Sequence, residues 1–165
     1  MIVLDTNMIS EPLKPRPDDR AAEWLDAQVP EALYLTATSL GEVLIGIELL
    51  PAGKRKRGMG QATQTLPARL FAVRFLPFDR EAAIAFALLG SRASARGHSI
   101  SVADCQIAAI AAVHGFSVAT RDTAPFQATG VPVVIPGGLD HPSETLDPSP
   151  LSLIKQILHL VQQSG

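Results

Sequence analysis

The sequence of 165 residues contains little cysteine and no long apolar run. Its single cysteine, Cys105, excludes an intrachain disulfide framework and a cysteine-rich zinc site. Alanine and isoleucine surround Cys105, so we interpret its thiol as a small buried core group. The first apolar run ends at Asp5, which does not suit a signal peptide, and no run reaches the roughly 18–20 residues that span a bilayer. We therefore predict a cytoplasmic protein with no membrane segment.

Aromatic residues and net charge are also low. Aromatic residues make up 5% of the chain, so base stacking is not expected to dominate any contact with nucleic acid. The formal net charge is -2, so no overall field attracts a polyanion, and any nucleic-acid site must be local. The apolar fraction is 47%, which at this length is typical of one globular domain with a core.

Short apolar runs alternate with segments of helical periodicity. We predict strands at 1–4, 33–36, 76–78, 116–120 and 131–135, and helices at 18–28, 39–50, 54–75, 80–96, 101–114 and 123–128. This alternation is typical of an α/β protein with a parallel sheet and helices on its faces. We divide the chain into a domain at 1–136 and a tail at 137–165, which reads as a linker and an amphipathic helix of open role.

Four carboxylates stand where predicted strands end or predicted helices begin. They are Asp5, Glu42, Asp104 and Asp122. Each has a simple interpretation as a helix cap. Ser39 with Glu42, and Ser101 with Asp104, fit the spacing of a capping box, and the other two acids could cap the helices that follow them. Taken one at a time, these acids are explained best as caps.

The combination of these acids favours a site. Helices that follow parallel strands start at one edge of the sheet, where α/β proteins place their ligands. Two unit charges 4 Å apart repel by about 4 kcal/mol at an effective dielectric constant of 20, so a cluster must bind protons or a cation. Oxygen ligands without a histidine or cysteine group favour Mg²⁺ or Mn²⁺. We predict that Asp5 and Asp104 bind the ion most directly, while Asp122 and Glu42 complete the ring and share the catalytic role.

Polar residues flank the first and the last of these acids. Thr6 and Asn7 follow the first acid and can orient a carboxylate or a bound water. Thr120 and Arg121 precede the last acid, and the guanidinium of Arg121 could contact a phosphate as a charged fork. These four residues are therefore candidates for binding or orienting a substrate. A turn that carries a surface charge explains them equally well.

Six stretches of the sequence, in order, follow the pattern of a known family: LDTNMISE (4–11), SLGEVLIGIELLPAGKRK (39–56), FLPFD (75–79), ISVADCQIAAIAAVHG (100–115), ATRDTAPF (119–126) and TGVPVV (129–134). In these stretches the sequence resembles the PIN-domain ribonucleases, and most of all the toxins of the VapC/FitB type. The resemblance implies a three-layer α/β/α sandwich with a central parallel sheet. It also implies a metal-dependent endoribonuclease whose metal ligands stand at the positions of the four acids.

The same resemblance implies the partners of the protein. These are an RNA substrate, a small antitoxin of a type II toxin–antitoxin system, a second copy in a homodimer, and promoter DNA only through the antitoxin. One departure concerns the last acid. Relatives often carry Asn at that position and an acid three residues later, where this chain has Pro125, so Asp122 must carry the role alone.

Two alternatives of other classes stay open at this point. The first is a phosphoryl-transfer enzyme with Asp5 as a covalent nucleophile, although such enzymes usually carry a second acid where this chain has Asn7. The second is a non-catalytic binding module in which the acids only cap helices. Thermal unfolding with added metal separates the second alternative from a metal-dependent enzyme, because a bound ion stabilises the folded state.

Overall fold

A parallel sheet forms the centre of the protein. The computed structural model describes residues 1–11, 14, 16, 18–53, 56–57 and 74–137. The strands are β1 (Ile2–Leu4), β2 (Leu33–Thr36), β3 (Phe75–Leu76), β4 (Ser117–Ala119) and β5 (Val133–Val134). They form one five-stranded sheet in the order β3-β2-β1-β4-β5, and every neighbouring pair is parallel. β1 lies at the centre, where Val3 pairs with Tyr34 on one side and with Val118 on the other.

Helices connect these strands. They are α1 (Thr6–Ser10), α2 (Asp19–Asp26), α3 (Ala37–Glu48), α4 (Arg80–Ala95), α5 (Val102–His114) and α6 (Ala124–Thr129), with a 3-10 turn at Pro30–Ala32. Asp18 and Asp79 start α2 and α4 by accepting hydrogen bonds from backbone N–H groups of the first turn. Gly115 ends α5 in the left-handed conformation, with φ of 68°. Of the helices that the structure describes, none has the length and apolar character needed to cross a bilayer.

The two faces of the sheet carry separate cores, because neighbouring residues of a strand point to opposite faces. Val3 and Val118 pack with the apolar residues of α4, α5 and α6. Leu4 and Ala119, each one position further along, pack with residues of α1 and α2. Helices therefore cover both faces, which confirms the predicted three-layer α/β/α sandwich with a central parallel sheet.

Most of the predicted elements are present, and their ends differ. The strand at 33–36 has the predicted bounds, and α3 begins two residues before the predicted start. The end of the helix predicted at 54–75 is wrong, because Phe75 pairs with Leu35 in β3. Residues 54, 55 and 58–73 of that prediction, and residues 138–165 of the predicted tail, lie outside the described residues. The division into a domain at 1–136 and a tail stays a prediction.

The strand order identifies the edge where a ligand would bind. The chain runs from β1 to β2 and β3 on one side, and β4 and β5 lie on the other side of β1. The order therefore reverses between β1 and β4, and the crevice at the carboxyl ends of such strands is where open α/β sheets bind ligands. Asp5 follows β1 directly, and Thr120 follows β4 directly.

Candidate active site

Asp5 lies at the reversal point with its side chain buried, at 4% relative exposure. Its Oδ1 accepts a hydrogen bond from the backbone N–H of Thr6 at 2.7 Å, so Asp5 caps α1 as predicted. Its Oδ2 accepts hydrogen bonds from Asn7 Nδ2 at 2.6 Å and from Thr120 Oγ1 at 2.8 Å. Both carboxylate oxygens are thus held by neutral donors, and these donors come from the ends of β1 and β4.

The electrostatic surroundings of Asp5 oppose its charge. The pKa of Asp5 is raised to about 6, first by burial and also by the negative charges of Asp104 and Glu42, while the hydrogen bonds from Thr120 and Thr6 act in the opposite direction. Among the residues that the structure describes, no lysine, arginine or histidine forms a salt bridge with Asp5. The structure therefore brings Asp104 and Glu42 close enough to Asp5 for their negative charges to act on it.

Glu42 lies on α3 and accepts a hydrogen bond from Thr6 Oγ1 at 2.5 Å. The predicted capping box of Ser39 and Glu42 is wrong. The N-cap of α3 is Thr36, whose side chain accepts from the backbone N–H of Ser39 at 2.9 Å. The physical reason is that β2 continues into α3 without a loop, so the last hydroxyl of the strand is the cap. Glu42 thus caps no helix and instead contacts the residue that follows Asp5.

Asp104 lies in the first turn of α5. Ser101 is the N-cap, as predicted, and its Oγ accepts from the backbone N–H of Asp104 at 3.0 Å. The same hydroxyl contacts Oδ2 of Asp104 at 2.6 Å. A hydrogen bond of 3.1 Å between Thr38 and Gln106 joins α3 to α5. The helices that carry Glu42 and Asp104 are therefore fixed relative to each other.

Asp122 occupies the loop between β4 and α6. The prediction that it caps α6 is wrong, because the N-cap is Thr123 and that cap has no side-chain hydrogen bond. The backbone N–H of Asp122 donates to Thr120 Oγ1 at 3.0 Å, and its side chain is exposed. Thr120 is thus the residue through which the Asp122 backbone is joined to Asp5.

The predicted orienting residues Thr6, Asn7 and Thr120 contact the acids directly. Thr6 joins two of them, because its N–H donates to Asp5 and its hydroxyl donates to Glu42. Asn7 Nδ2 donates to Thr120 Oγ1 at 2.8 Å as well as to Asp5, and Asn7 Oδ1 accepts from the backbone N–H of Arg121 at 3.3 Å. The carboxamide of Asn7 therefore links the loops that follow β1 and β4.

The guanidinium of Arg121 is paired with acids that the sequence did not indicate. Nη2 lies 2.5 Å from Oε2 of Glu11, and Nη1 lies 3.7 Å from Oδ2 of Asp18. Glu11 is buried at 2% relative exposure, and its Oε2 also accepts from Lys14 Nζ at 2.6 Å. The one local signal for this cluster was a lysine three residues after Glu11, which is common on protein surfaces. Arg121 comes from a distant part of the chain, so no pattern pointed to it.

The surroundings of Glu11 favour its charge. Burial acts to raise the pKa of Glu11, but the hydrogen bonds from Lys14 and from the backbone N–H of Asp18, with the charges of Arg121 and Lys14, outweigh burial and lower it. The bond from the Asp18 N–H to Oε1 measures 2.8 Å. Glu11 is thus a buried carboxylate that stays ionised because cations surround it.

The donor chemistry of the crevice suits a hard cation. Its candidate ligands are carboxylates and hydroxyls, which Mg²⁺ prefers, and a cation would relieve the repulsion between Asp5, Asp104 and Glu42. Within the described part of the chain, no group of three or more acidic, histidine or cysteine side chains is arranged to hold a metal. Mg²⁺ commonly binds through one or two protein carboxylates and keeps several waters.

Known proteins are similar to this chain in sequence and in fold. A family model described as PIN domain matches residues 2–131. The chain belongs to the PIN-domain family. It is 46% identical over 138 residues to VapC ribonuclease Y4jK of Sinorhizobium fredii, in a match that covers 82% of this chain and 97% of that protein. It is 44% identical over 136 residues to toxin FitB of Neisseria gonorrhoeae, in a match that covers 82% of this chain and 98% of that toxin.

Solved structures agree with this assignment. A chain in the crystal structure of FitAcB from Neisseria gonorrhoeae is 44% identical, with a TM-score of 0.80, and the match covers 84% of this chain and 100% of that one. The structure of FitAB bound to the IR36 DNA fragment gives the same TM-score of 0.80 at 44% identity, with coverage of 86% of this chain and 99% of that one. The resemblance to PIN domains of the VapC/FitB type is thereby confirmed.

Proposed function

We propose that this PIN-domain protein is a metal-dependent endoribonuclease that hydrolyses RNA phosphodiester bonds and acts as the toxin of a type II toxin–antitoxin pair. The observation that carries the proposal is the buried carboxylate of Asp5 at the reversal point of the sheet. It is held by neutral donors and faces Asp104 and Glu42. The relatives named VapC ribonuclease and toxin FitB support it.

In this proposal, Asp5 and Asp104 hold Mg²⁺ or Mn²⁺ most directly, and Asp122 and Glu42 complete the acidic ring. The bound ion supplies Lewis-acid chemistry, which polarises a phosphate and activates a water. The other residues keep the carboxylates in place. Thr6 fixes Asp5 relative to Glu42 with its N–H and its hydroxyl, at 2.7 and 2.5 Å. Such preorganisation avoids reorientation of the ligands during the reaction.

Two observations favour this function over the alternatives. A module whose acids only cap helices does not account for Glu42 and Asp122, since Thr36 and Thr123 are the caps of their helices. A covalent aspartyl-phosphate enzyme usually carries a second acid two residues after its nucleophile, and the structure shows that this position is held by Asn7, whose amide donates to Asp5.

The proposed partners follow from the same relatives. We infer that the chain binds a small antitoxin, forms a homodimer, and acts on RNA in the cytoplasm. The solved FitAB complex, which contains a relative of this chain, is bound to a DNA fragment. We expect this chain to reach promoter DNA only through its antitoxin, because a net charge of -2 supplies no general attraction to the phosphate backbone.

Cleavage of structured RNA by the purified protein tests the proposed function. We expect cutting with Mg²⁺ or Mn²⁺ and none with EDTA. Asp5→Asn and Asp104→Asn should each lower the rate on the order of 100-fold or more, as expected for the loss of a preorganised charged group. A matched control is Asp79→Asn, because Asp79 is an exposed acid that caps α4 through Ala82, and asparagine is an equally good cap.

The control variant distinguishes the effect of removing a site acid from the effect of removing an acid elsewhere on the protein. Asp79→Asn should keep the rate of the unmodified protein. Cutting that survives EDTA, or that persists in Asp5→Asn after repeated purification, would contradict the proposal, because cleavage would then need neither the metal nor the buried acid. Formation of an acid-labile phosphoryl adduct on the protein would favour the covalent alternative.

A further inference from the structure

A continuous set of contacts runs from the buried Glu11 to Asp5. Glu11 Oε2 pairs with Arg121 Nη2 at 2.5 Å. The backbone N–H of Arg121 donates to Asn7 Oδ1 at 3.3 Å, and Asn7 Nδ2 donates to Asp5 Oδ2 at 2.6 Å. The ion pair therefore lies two contacts away from the candidate catalytic carboxylate. It does so through one side chain, that of Asn7.

Three contacts determine which way the carboxamide of Asn7 is turned. Its oxygen faces the Arg121 N–H, and its nitrogen faces the carboxylate of Asp5, since a carboxylate only accepts hydrogen bonds. The nitrogen also donates to Thr120 Oγ1 at 2.8 Å, so Asp5 and Thr120 hold it together. Among the described contacts, the N–H of Arg121 alone holds the carboxamide oxygen, so the position of this end of Asn7 depends on Arg121.

One carboxylate oxygen of Glu11, Oε2, contacts two cations, and one of these cations is connected to the candidate site. Lys14 Nζ and Arg121 Nη2 lie 2.6 and 2.5 Å from Oε2. Their side chains are 42% and 32% exposed, so the two cations are similar in solvation. Arg121 stands between Thr120 and Asp122, both of which belong to the candidate site, whereas within the described part of the chain Lys14 contacts the cluster through Glu11 alone. This pair of cations provides a test and its control within one cluster.

We propose that the ion pair of Glu11 and Arg121 is a positioning device, which fixes the loop after β4 so that Asn7 holds the Asp5 carboxylate in place. In this role Arg121 acts through Asn7 and not through the RNA phosphate. The kinetic part of the inference rests on the proposed function. The structural part concerns the metal-free protein and stands independently of it.

Kinetics of Glu11→Gln, Arg121→Met and Lys14→Met test the positioning role. Loss of a group that orients a site residue typically lowers activity by about 10- to 100-fold. We expect Glu11→Gln and Arg121→Met each to lower kcat by that factor with little change in KM. The double variant should be no slower than the slower single variant, because both changes break the same contact. Lys14→Met should stay within about twofold of the unmodified protein.

Solution NMR of the metal-free protein provides the second measurement. In Glu11→Gln and Arg121→Met, the side-chain amide resonances of Asn7 should shift, and hydrogen exchange at the Arg121 backbone amide should accelerate. Neither should change in Lys14→Met. This result supports positioning even if the protein proves not to cleave RNA, so failure of the inference and failure of the proposed function are distinguishable.

Three outcomes would overturn the inference. The first is a raised KM in Arg121→Met with normal kinetics in Glu11→Gln, which would assign Arg121 to the substrate. The second is an equal loss in Lys14→Met, which would make the effect one of general charge or stability. The third is an unchanged Asn7 spectrum in Glu11→Gln and Arg121→Met. If Glu11→Gln does not fold, the comparison of Arg121→Met with Lys14→Met still tests the positioning role of Arg121.

Discussion

Asp5 and Glu11 are carboxylates at the two ends of α1, and both are almost fully buried, at 4% and 2% relative exposure. Their pKa values nevertheless move in opposite directions, upward to about 6 for Asp5 and below the ordinary value for Glu11. Asp5 has neutral donors and two negative neighbours. Glu11 has Lys14, Arg121 and a backbone N–H.

The comparison shows which local effect decides the charge of a buried acid. A helix dipole favours an anion at the N-terminal end, where Asp5 lies, and opposes one at the C-terminal end, where Glu11 lies. The observed directions are the reverse, so burial at Asp5, and the hydrogen bonds and cations at Glu11, outweigh the dipole of this five-residue helix. Of the two acids, Asp5 is the one that has no cationic partner among the described residues. This is why the crevice suits a metal and the Glu11 cluster suits a structural role.

The largest expected effect is the pH dependence that Asp5 gives to the stability of the folded protein. The folded pKa is raised above the unfolded value, so the folded state binds the extra proton between about pH 4 and pH 6. Stability of the unmodified protein relative to Asp5→Asn should therefore fall as pH rises through this window. The change from 3.8 to about 6 corresponds to a fall of about 3 kcal/mol in the free energy of unfolding. Urea unfolding in EDTA from pH 4 to pH 7.5 measures it.

Metal provides the control for that measurement. Added Mg²⁺ at pH 7.5 should stabilise the unmodified protein more than Asp5→Asn, because an ion that binds only the folded state raises its stability by mass action. Parallel stability curves for the two proteins across the whole pH range would show that the charge of Asp5 is not opposed by its surroundings. The comparison with Glu11 would then break down.

A smaller effect of opposite sign is expected at Glu11. The variant Glu11→Gln should lower the free energy of unfolding at pH 7 by about 2 kcal/mol, because hydrogen bonds to a charged group become neutral ones. The folded pKa is depressed, so this contribution is present above the unfolded pKa of 4.5 and is lost as pH falls through the folded pKa. Urea unfolding at pH 7 and in acid measures the difference.

A surface glutamate provides the matched control for Glu11. Glu48 pairs with Lys56 at 2.7 Å, but its side chain is 77% exposed. Glu48→Gln should change stability by less than about 1 kcal/mol at either pH, as exposed ion pairs do. An equal fall in the free energy of unfolding for Glu11→Gln and Glu48→Gln would mean that burial of the Glu11 cluster adds nothing to stability.

The smallest expected effect on stability is that of a change at Ser101. The hydroxyl of Ser101 is a neutral partner of the Asp104 carboxylate, as the hydroxyl of Thr120 is for Asp5. Ser101→Ala removes the cap of α5 and should lower the free energy of unfolding by about 1 kcal/mol. The control Ser91→Ala changes an exposed serine of α4, whose hydroxyl donates to the carbonyl of Leu88, and should change the free energy of unfolding by no more than about 0.5 kcal/mol. Thermal unfolding of both variants makes the comparison, and equal melting temperatures would contradict it.

The sequence was sufficient for the order of the strands and for the approach of Asp104 and Glu42 to Asp5. Short apolar runs followed by acids identified β1 and β2, and alternating periodicity predicted the parallel sheet. The cap of α3 was misassigned because 36–39 offers several hydroxyls, and spacing alone favoured Ser39 over Thr36. The hydrogen bond that decides between them depends on how β2 turns into α3, which no spacing rule contains.

The contrast between Asp5 and Glu11 was beyond sequence reasoning for a different reason. Both acids stand in the same short polar and apolar stretch, and a pKa depends on charges brought in from elsewhere in the chain. Arg121, Asp104 and Glu42 come from three other elements. Only the fold shows that the first of these approaches Glu11, while the other two face Asp5.

The central position of β1 in the sheet determines when the crevice can assemble during synthesis. β1 precedes the other four strands of the sheet in the chain, yet one of its two neighbours is β4, and Asp5 is held by Thr120. A nascent chain therefore carries Asp5 well before Thr120 and cannot close the crevice until Thr120 has left the ribosome. Contacts so distant in sequence also form late and slowly during folding. A truncated or partly synthesised chain consequently lacks the assembled acidic crevice, although it contains its first residue.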